Sequence, residues 1–180
     1  MSKKDNLSKF ISLILRHKPE IIGIKLDAQG YADVKELIEK INNTSRDVNM
    51  KTLEEIVEED NKQRYSFSED RSKIRANQGH SINVNVELKE LEPPEYLYHG
   101  TATRFLDNIK KEGLIRQSRL YVHLSNDIDT AIKVGKRHGT PVVLKINTSK
   151  MYENSYKFYL SKNNVWLCKH IPFKYVEILE

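Results

Sequence analysis

Apolar residues recur at helical spacing through the first 59 residues of the chain and in short alternating runs after that. This change of period constrains the fold more than any other feature, because a helical stripe and a strand alternation cannot serve the same backbone. From Leu7 the residues Leu7, Phe10, Ile11, Ile14 and Leu15 mark a helix with Asp5 or Asn6 as its N-cap. It carries Arg16 and His17 at its C-terminal end and stops at Pro19, since a residue before proline avoids the helical region. After the turn Asp27-Ala28-Gln29-Gly30, a second helix is predicted from Asp33 to Ile41 on Val34, Leu37, Ile38 and Ile41. A third is predicted from Met50 to Glu59 on Leu53, Ile56 and Val57. Arg64-Tyr65-Ser66-Phe67 and Ser72-Lys73-Ile74-Arg75 alternate around Ser68-Glu69-Asp70 as a hairpin. Three helices and a hairpin outline a winged helix, and the hairpin ends at Arg75.

Pro93-Pro94, flanked by charge, reads as a boundary between lobes, giving residues 1–92 and 93–180. Beyond it come a strand at 96–99, a helix at 103–111 on Phe105, Leu106 and Ile109, and a strand at 120–125 in which Tyr121, Val122 and Leu124 read as core. A helix at 127–136, a strand at 141–146, a hairpin of 157–160 with 165–168 and a strand at 175–179 complete the chain. Many short strands with few helices make an α+β fold rather than a doubly wound one.

The 180 residues suffice for one domain or two small ones. No apolar run approaches the roughly 20 residues of a membrane span, and the start lacks the apolar stretch of a secretory signal. A cytoplasmic protein without a membrane partner is the expectation. The single cysteine, Cys168, closes no intrachain disulfide and reads as a buried, inert thiol. Apart from the loose pair Cys168/His170, none of the six histidines falls in a usual zinc spacing, so no metal is expected. Neither a Walker loop nor a Gly-Xaa-Gly-Xaa-Xaa-Gly is present, so neither P-loop hydrolysis nor a Rossmann dinucleotide fold is supported. Residues 1–90 hold 16 Lys and Arg against 16 Asp and Glu, whereas residues 91–180 hold 14 against 9. A general DNA-binding module carries a basic footprint of its own, and the first half has none.

Arg75-Ala76-Asn77-Gln78-Gly79-His80-Ser81 gathers a guanidinium, carboxamides, an imidazole and a hydroxyl around one flexible glycine, chemistry suited to an oxyanion. Within it Gln78, Gly79, His80 and Ser81 are candidates for holding a phosphate. Leu15-Arg16-His17-Lys18-Pro19 and Tyr98-His99-Gly100-Thr101 share that chemistry. Each has an ordinary alternative. Arg16 and His17 suit any helix C-terminus, Gly79 any turn with positive φ, and Arg137-His138 a basic helix end. His99-Gly100-Thr101 is either a turn whose threonine caps the next helix or a bare backbone that a ligand approaches closely. His123 and Ser125 are either satisfied core polar groups or a ligand-facing edge.

The order of the segments is what decides among these readings. Leu-Arg-His-Xaa-Pro at 15–19, Arg-Ala-Asn-Gln-Gly-His-Ser at 75–81, Tyr-His-Gly-Thr at 98–101, Val-His-Leu-Ser at 122–125, Val-Gly-Lys-Arg-His-Gly at 134–139 and Val-Trp-Leu at 165–167 follow one another. Together they closely resemble the NAD-dependent RNA 2′-phosphotransferases of the KptA type, over nearly the whole chain. The resemblance implies an N-terminal winged-helix RNA-binding lobe and a C-terminal NAD-binding lobe of the ADP-ribosyltransferase fold, with the active site between them. It implies removal of an internal RNA 2′-monophosphate, as left at a tRNA splice junction. NAD is consumed as co-substrate, and an ADP-ribosylated 2′-phosphate is the intermediate. The products are 2′-hydroxyl RNA, nicotinamide and ADP-ribose 1″,2″-cyclic phosphate. By position the catalytic residues fall on Arg16, His17, Arg75 and Arg137, and NAD binding on His99, Gly100, Thr101, His123 and Ser125. The expected partner is a tRNA-like RNA, and the expected state a monomer. One departure is that Asn163-Asn164 stands where the family has Asn-Gly, in a turn that needs a left-handed residue.

Many ADP-ribosyltransferases carry a glutamate near the nicotinamide ribose, and the matching segment Asn164-Val165-Trp166 has none. A phosphate monoester, with a second pKa of about 6, is mostly dianionic at neutral pH and needs no general base. It needs positioning and positive charge instead, which guanidinium forks supply better than ammonium groups. Two rival classes stay open on the residues alone: an ADP-ribosyltransferase that stops after one step, and a non-catalytic winged-helix nucleic-acid module. The charge balance of residues 1–90 weighs against the second.

Overall fold

Leu7, Ile11, Ile14 and Leu15 are all buried on one side of helix α1, Lys3–Arg16. The computed structural model describes residues 3–179. The helix starts ahead of the expected caps: Asp5 lies inside its first turn, where a carboxylate meets the positive end of the helix dipole. A short 3-10 turn at Pro19–Ile22 follows and ends at Gly23 with φ +72°.

Helices α2, Val34–Asn42, and α3, Met50–Glu58, begin at residues whose side chains satisfy an orphan N–H of the first turn. Asp33 accepts from the Glu36 N–H at 2.8 Å, and Asn49 from the Thr52 N–H at 2.9 Å. Before α2 the chain forms a strand that the residue pattern does not announce, β1 at Tyr31–Asp33. The expected hairpin is β2, Tyr65–Phe67, with β3, Lys73–Ala76, and the three make an antiparallel sheet in the order β1-β3-β2. Arg75 stands on the central strand, opposite Tyr31 on one side and Ser66 on the other. Leu37, Ile41, Leu53 and Ile74 join the α1 residues in one core. Burying such a side chain contributes about 1.5 to 3 kcal/mol.

The chain divides into two compact units, Met1–Glu87 and Leu88–Glu180. Pro93-Pro94 therefore lies inside the second unit. The residues before it belong there because β4, Lys89–Glu90, pairs with a strand much later in the chain, β9 below.

In the second unit β5 runs over Tyr96–Ala102, three residues beyond the expected strand. The remaining elements are α4, Leu106–Glu112, after a 3-10 turn at Thr103–Phe105; β6, Leu114–Ile115; β7, Val122–Leu124; α5, Ile128–Gly135; and β8, Pro141–Asn147. They are followed by α6, Thr148–Glu153; β9, Phe158–Leu160; β10, Trp166–Cys168; β11, His170–Ile171; and β12, Val176–Leu179. Phe105, expected on the inner face of a helix, sits in the 3-10 turn and is 38% exposed. Helix α6 is capped by Asn147 on the Lys150 N–H at 3.0 Å, and β6 pairs with β11; none of these three elements was expected.

Two antiparallel sheets carry this unit, β12-β8-β5 and β4-β9-β10-β7. They meet where Tyr98 and Ser125 exchange backbone hydrogen bonds of 2.9 and 2.7 Å. Leu97, Leu144, Ile146, Phe158 and Trp166 belong to a second core. Tyr121, expected in that core, is half-buried instead and meets Tyr159 edge-on at 5.5 Å. Asn164 has φ +59°, the left-handed conformation its turn requires. Cys168 is buried and donates to the His170 carbonyl, and burial pushes its thiol pKa up. Among the described residues no helix is long and apolar enough to cross a membrane.

Candidate active site

In the first unit, the end of α1 and the loop after β3 are stitched together by one residue. The Ser81 N–H donates to the Arg16 carbonyl at 3.0 Å, and the Ser81 hydroxyl lies 2.9 Å from His17 Nδ1. The backbone bond satisfies one of the carbonyls that a helix end leaves open. Between them Gly79 has φ +89°, and a Cβ there would stand 3.6 Å from the Arg16 guanidinium. The bare glycine lays backbone against that cation.

Arg75 is buried, yet only part of its guanidinium is committed to the protein. Nη1 donates to the Gln29 carbonyl at 3.3 Å and to Glu87 Oε2 at 3.2 Å, and the group stacks over the Tyr31 ring at 4.5 Å. Its Nε finds no acceptor. Gln78 Oε1 and His80 Nε2 are likewise buried and unmet. Buried polar atoms are nearly always paired, so three orphans on one short loop and its strand indicate a place for a polar ligand. An oxyanion suits the Arg75 Nε–H edge.

His80 is 2% exposed, and its pKa is pushed down to about 4. Burial is the main cause, and the positive charges of Arg16, His17 and Arg75 add to it. Those charges therefore act on one imidazole, which stays neutral at pH 7 and adds nothing to the positive field. Asn77 does different work from its neighbours. Its amide accepts from the Ser66 hydroxyl and donates to the Gln63 carbonyl, both at 2.6 Å, so it fastens the hairpin.

In the second unit His99, Gly100 and Thr101 are strand residues on β5, not a turn, and Thr101 caps no helix. The absent side chain at Gly100 serves packing. A Cβ there would lie 1.7 Å from the Ala131 carbonyl oxygen of α5, and one on Gly135 would lie 2.5 Å from the Thr101 carbonyl oxygen. Strand and helix touch backbone to backbone, so the close approach expected of a ligand at Gly100 is made by α5. Thr101 is buried beside it.

His99 Nδ1 lies 2.9 Å from the His123 carbonyl and donates to it, since a carbonyl only accepts. Burial holds the His99 pKa below its ordinary value, with His138 and Arg119 acting in the same direction. His123 Nδ1 is 2.6 Å from Arg119 Nη1. Arg119 in turn feels partial burial and the charge of Arg137, both of which lower its pKa. Ser125 contributes its backbone to the bridge with Tyr98.

The first unit thus brings together Arg16, His17, Arg75, Gln78, Gly79, His80 and Ser81. The second brings His99 to His123 and puts Arg137 within electrostatic reach of Arg119. Sequence reasoning missed Glu87, Gln29 and Arg119. Only Arg119 left a signal, as a cation four residues before His123.

A family model described as RNA 2′-phosphotransferase, Tpt1 / KptA family matches residues 2–170. The chain belongs to that family. A Fusobacterium nucleatum protein described as a "Probable RNA 2′-phosphotransferase" is 56% identical over 178 residues, covering 98% of this chain and 99% of the relative. Proteins of the same description from Flavobacterium johnsoniae and Acaryochloris marina are 52% and 48% identical, over 96% and 94% of this chain and 94% and 93% of their own lengths. The family expected from the order of the motifs is the family found.

Proposed function

We propose that this chain removes an internal 2′-monophosphate from RNA and transfers it to NAD, leaving a 2′-hydroxyl. The observation that carries this reading is the buried Arg75 with an unmet Nε, on the strand that leads into a loop with two further unmet polar atoms, and sharing an electrostatic environment with Arg16 and His17. Family membership supports the RNA 2′-phosphate as the anion that such a cluster receives.

Arg16 and Arg75 are assigned to the phosphoryl oxygens. Guanidinium groups fixed before the substrate arrives stabilise the charge that builds on those oxygens as the RNA 2′-oxygen leaves. Gln29, Glu87 and the Tyr31 ring hold the Arg75 side chain, leaving its Nε edge for the ligand. Gly79 admits the anion beside the Arg16 guanidinium. His17, steadied by Ser81, is assigned to hydrogen-bond the same group. Arg137, just after α5, is assigned as the cation of the second unit.

His99, Thr101, His123 and Ser125 are assigned to NAD. The oriented imidazoles, together with Arg119 and Arg137, suit a ligand that carries ribose hydroxyls and a pyrophosphate. NAD, when bound, supplies the ribose that accepts the phosphate, ending as nicotinamide and ADP-ribose 1″,2″-cyclic phosphate. The three helices and β1-β3-β2 sheet of the first unit support a winged-helix RNA-binding lobe. The two antiparallel sheets of the second support an ADP-ribosyltransferase-like lobe.

The test is product analysis after incubation with NAD and an oligonucleotide bearing one internal 2′-phosphate. We expect 2′-hydroxyl RNA and the cyclic phosphate. A stable ADP-ribosylated oligonucleotide would favour a transferase that stops after one step, and no NAD consumption would end the proposal. Arg16→Ala, Arg75→Ala and Arg137→Ala should each lower turnover at least 100-fold, on the scale of a lost charge-stabilising donor, with the loss of activity far exceeding any loss of stability; the buried Arg75 should show the largest fall in melting temperature of the three. Full activity in any two of the three would defeat the assignment.

A further inference from the structure

Phe105 ends the 3-10 turn Thr103–Phe105 with its ring exposed, although its neighbours Leu106 and Ile109 pack into the core of the second unit. A phenylalanine is more often buried. The Thr103 N–H donates to the Thr140 carbonyl at 3.1 Å and so ties this turn to the segment after α5. That segment folds back on itself: the Arg137 and His138 N–H groups donate to the Val134 and Gly135 carbonyls at 3.2 and 2.9 Å. Together the two turns bring His138 edge-on to the Phe105 ring, with centroids 6.4 Å apart. The Arg104 guanidinium lies over the same ring, 4.8 Å from its centroid.

The charge around this ring is almost all of one sign. Arg104, Lys136, Arg137 and His138 are exposed, no acid occurs from Lys133 to Thr140, and Asp107 is the only one from Thr103 to Lys111. A lone exposed phenylalanine would need no explanation. One set beside a guanidinium and an imidazole does, because the bases of single-stranded RNA stack on aromatic rings and guanidinium planes while nearby cations meet the phosphates. Position agrees with chemistry. His138 is near enough to His99 to act on its imidazole, and Arg137 is the cation assigned to the reaction in this unit, so the surface borders the residues given to the chemistry.

We propose that Arg104, Phe105, Lys136 and His138 form a docking surface for a single-stranded RNA nucleotide next to the one that bears the 2′-phosphate. Its base stacks on Phe105, and its phosphate is met by Arg104 and Lys136. That the nucleotide is the neighbour of the reacting one rests on the reaction proposed above, whereas RNA binding by the surface does not. The charge-balanced first half then needs few contacts of its own, and the flanking RNA is gripped by the half that holds 14 Lys and Arg against 9 Asp and Glu.

The test uses full-length protein and single-stranded RNA heptamers, with or without a 2′-phosphate on the central nucleotide, carrying 2-aminopurine on one side of it or the other. Anisotropy without NAD reports affinity, and quenching of the 2-aminopurine reports stacking. The parent protein should quench the probe on one of the two sides. Phe105→Ala should abolish the quench and, like Arg104→Ala, weaken binding of both heptamers about tenfold, the scale of one base–aromatic stack. Phe105→Tyr should keep both signals. All three variants should bind ADP-ribose as the parent does and, since both side chains are exposed, melt close to it.

Unaltered RNA affinity in both alanine variants would overturn the proposal, and so would the lack of a quench on either side. A fall in ADP-ribose affinity without one in RNA affinity would overturn it too, by giving the ring to the dinucleotide. If Phe105→Ala loses affinity for the heptamers while the parent consumes no NAD, the reaction falls and the RNA surface stands.

Discussion

At the scale of single residues, the histidines divide by what surrounds them. His80 is buried and depressed to about 4 from an ordinary 6.5, so the unfolded chain takes up a proton there first as the pH falls. Stability that is complete above pH 6.5 is therefore lost on the way down to pH 4, by about 3 kcal/mol for a shift of that size. His99, lowered by burial as well, adds to the loss in the same direction. Urea midpoints measured between pH 7 and 4.5 should fall more steeply in the parent protein than in His80→Asn, and equal slopes would refute the assignment. Arg75 shows how far a sequence can be read at this scale. Its motif singles it out, but the contacts that fix it lie 46 residues away at Gln29 and 12 away at Glu87. No local pattern encodes partners that only sheet formation brings into reach.

Among the elements, β5 and α5 are joined by two glycines rather than by interlocking side chains. Gly100→Ala puts a methyl 1.7 Å from a carbonyl oxygen, and Gly135→Ala puts one at 2.5 Å. Backbone cannot yield as a flexible side chain can, so each substitution should cost more than roughly 3 kcal/mol, above the usual range for overpacking. Thermal melts should show large losses for both. A Gly100→Ala protein that melts like the parent and fails only with NAD would restore the view of Gly100 as a ligand contact. Elements whose signals are local were legible: α2 and α3 begin at Asp33 and Asn49 because those side chains cap them directly. The extension of β5 through Thr101 was not, since pairing with Val143 and Val142 on β8 overrides the turn character of His-Gly-Thr. Strand β1 escaped for a similar reason, being three residues held by Arg75, Ile74 and Lys73 opposite.

For the molecule as a whole, charge is distributed so that a few cations matter individually. With 16 Lys and Arg against 16 Asp and Glu in residues 1–90, the first half makes no broad electrostatic field. Binding of a 2′-phosphorylated oligonucleotide should then vary with salt more gently than a log–log slope of roughly −3, the value for about four phosphates neutralised on a single strand. Filter binding from 50 to 300 mM salt measures it, and a slope of −6 would point to an extended basic track. The family was legible because six short segments survive in order, whereas their spatial grouping required the fold. Among those groupings, the bond from Ser81 to the end of α1 has a practical outcome. One peptide hydrogen reports on helix fraying and on ligand occupancy at the same time. Its deuterium uptake should slow severalfold when inorganic phosphate is added, turning a structural stitch into a probe that needs neither RNA nor catalysis.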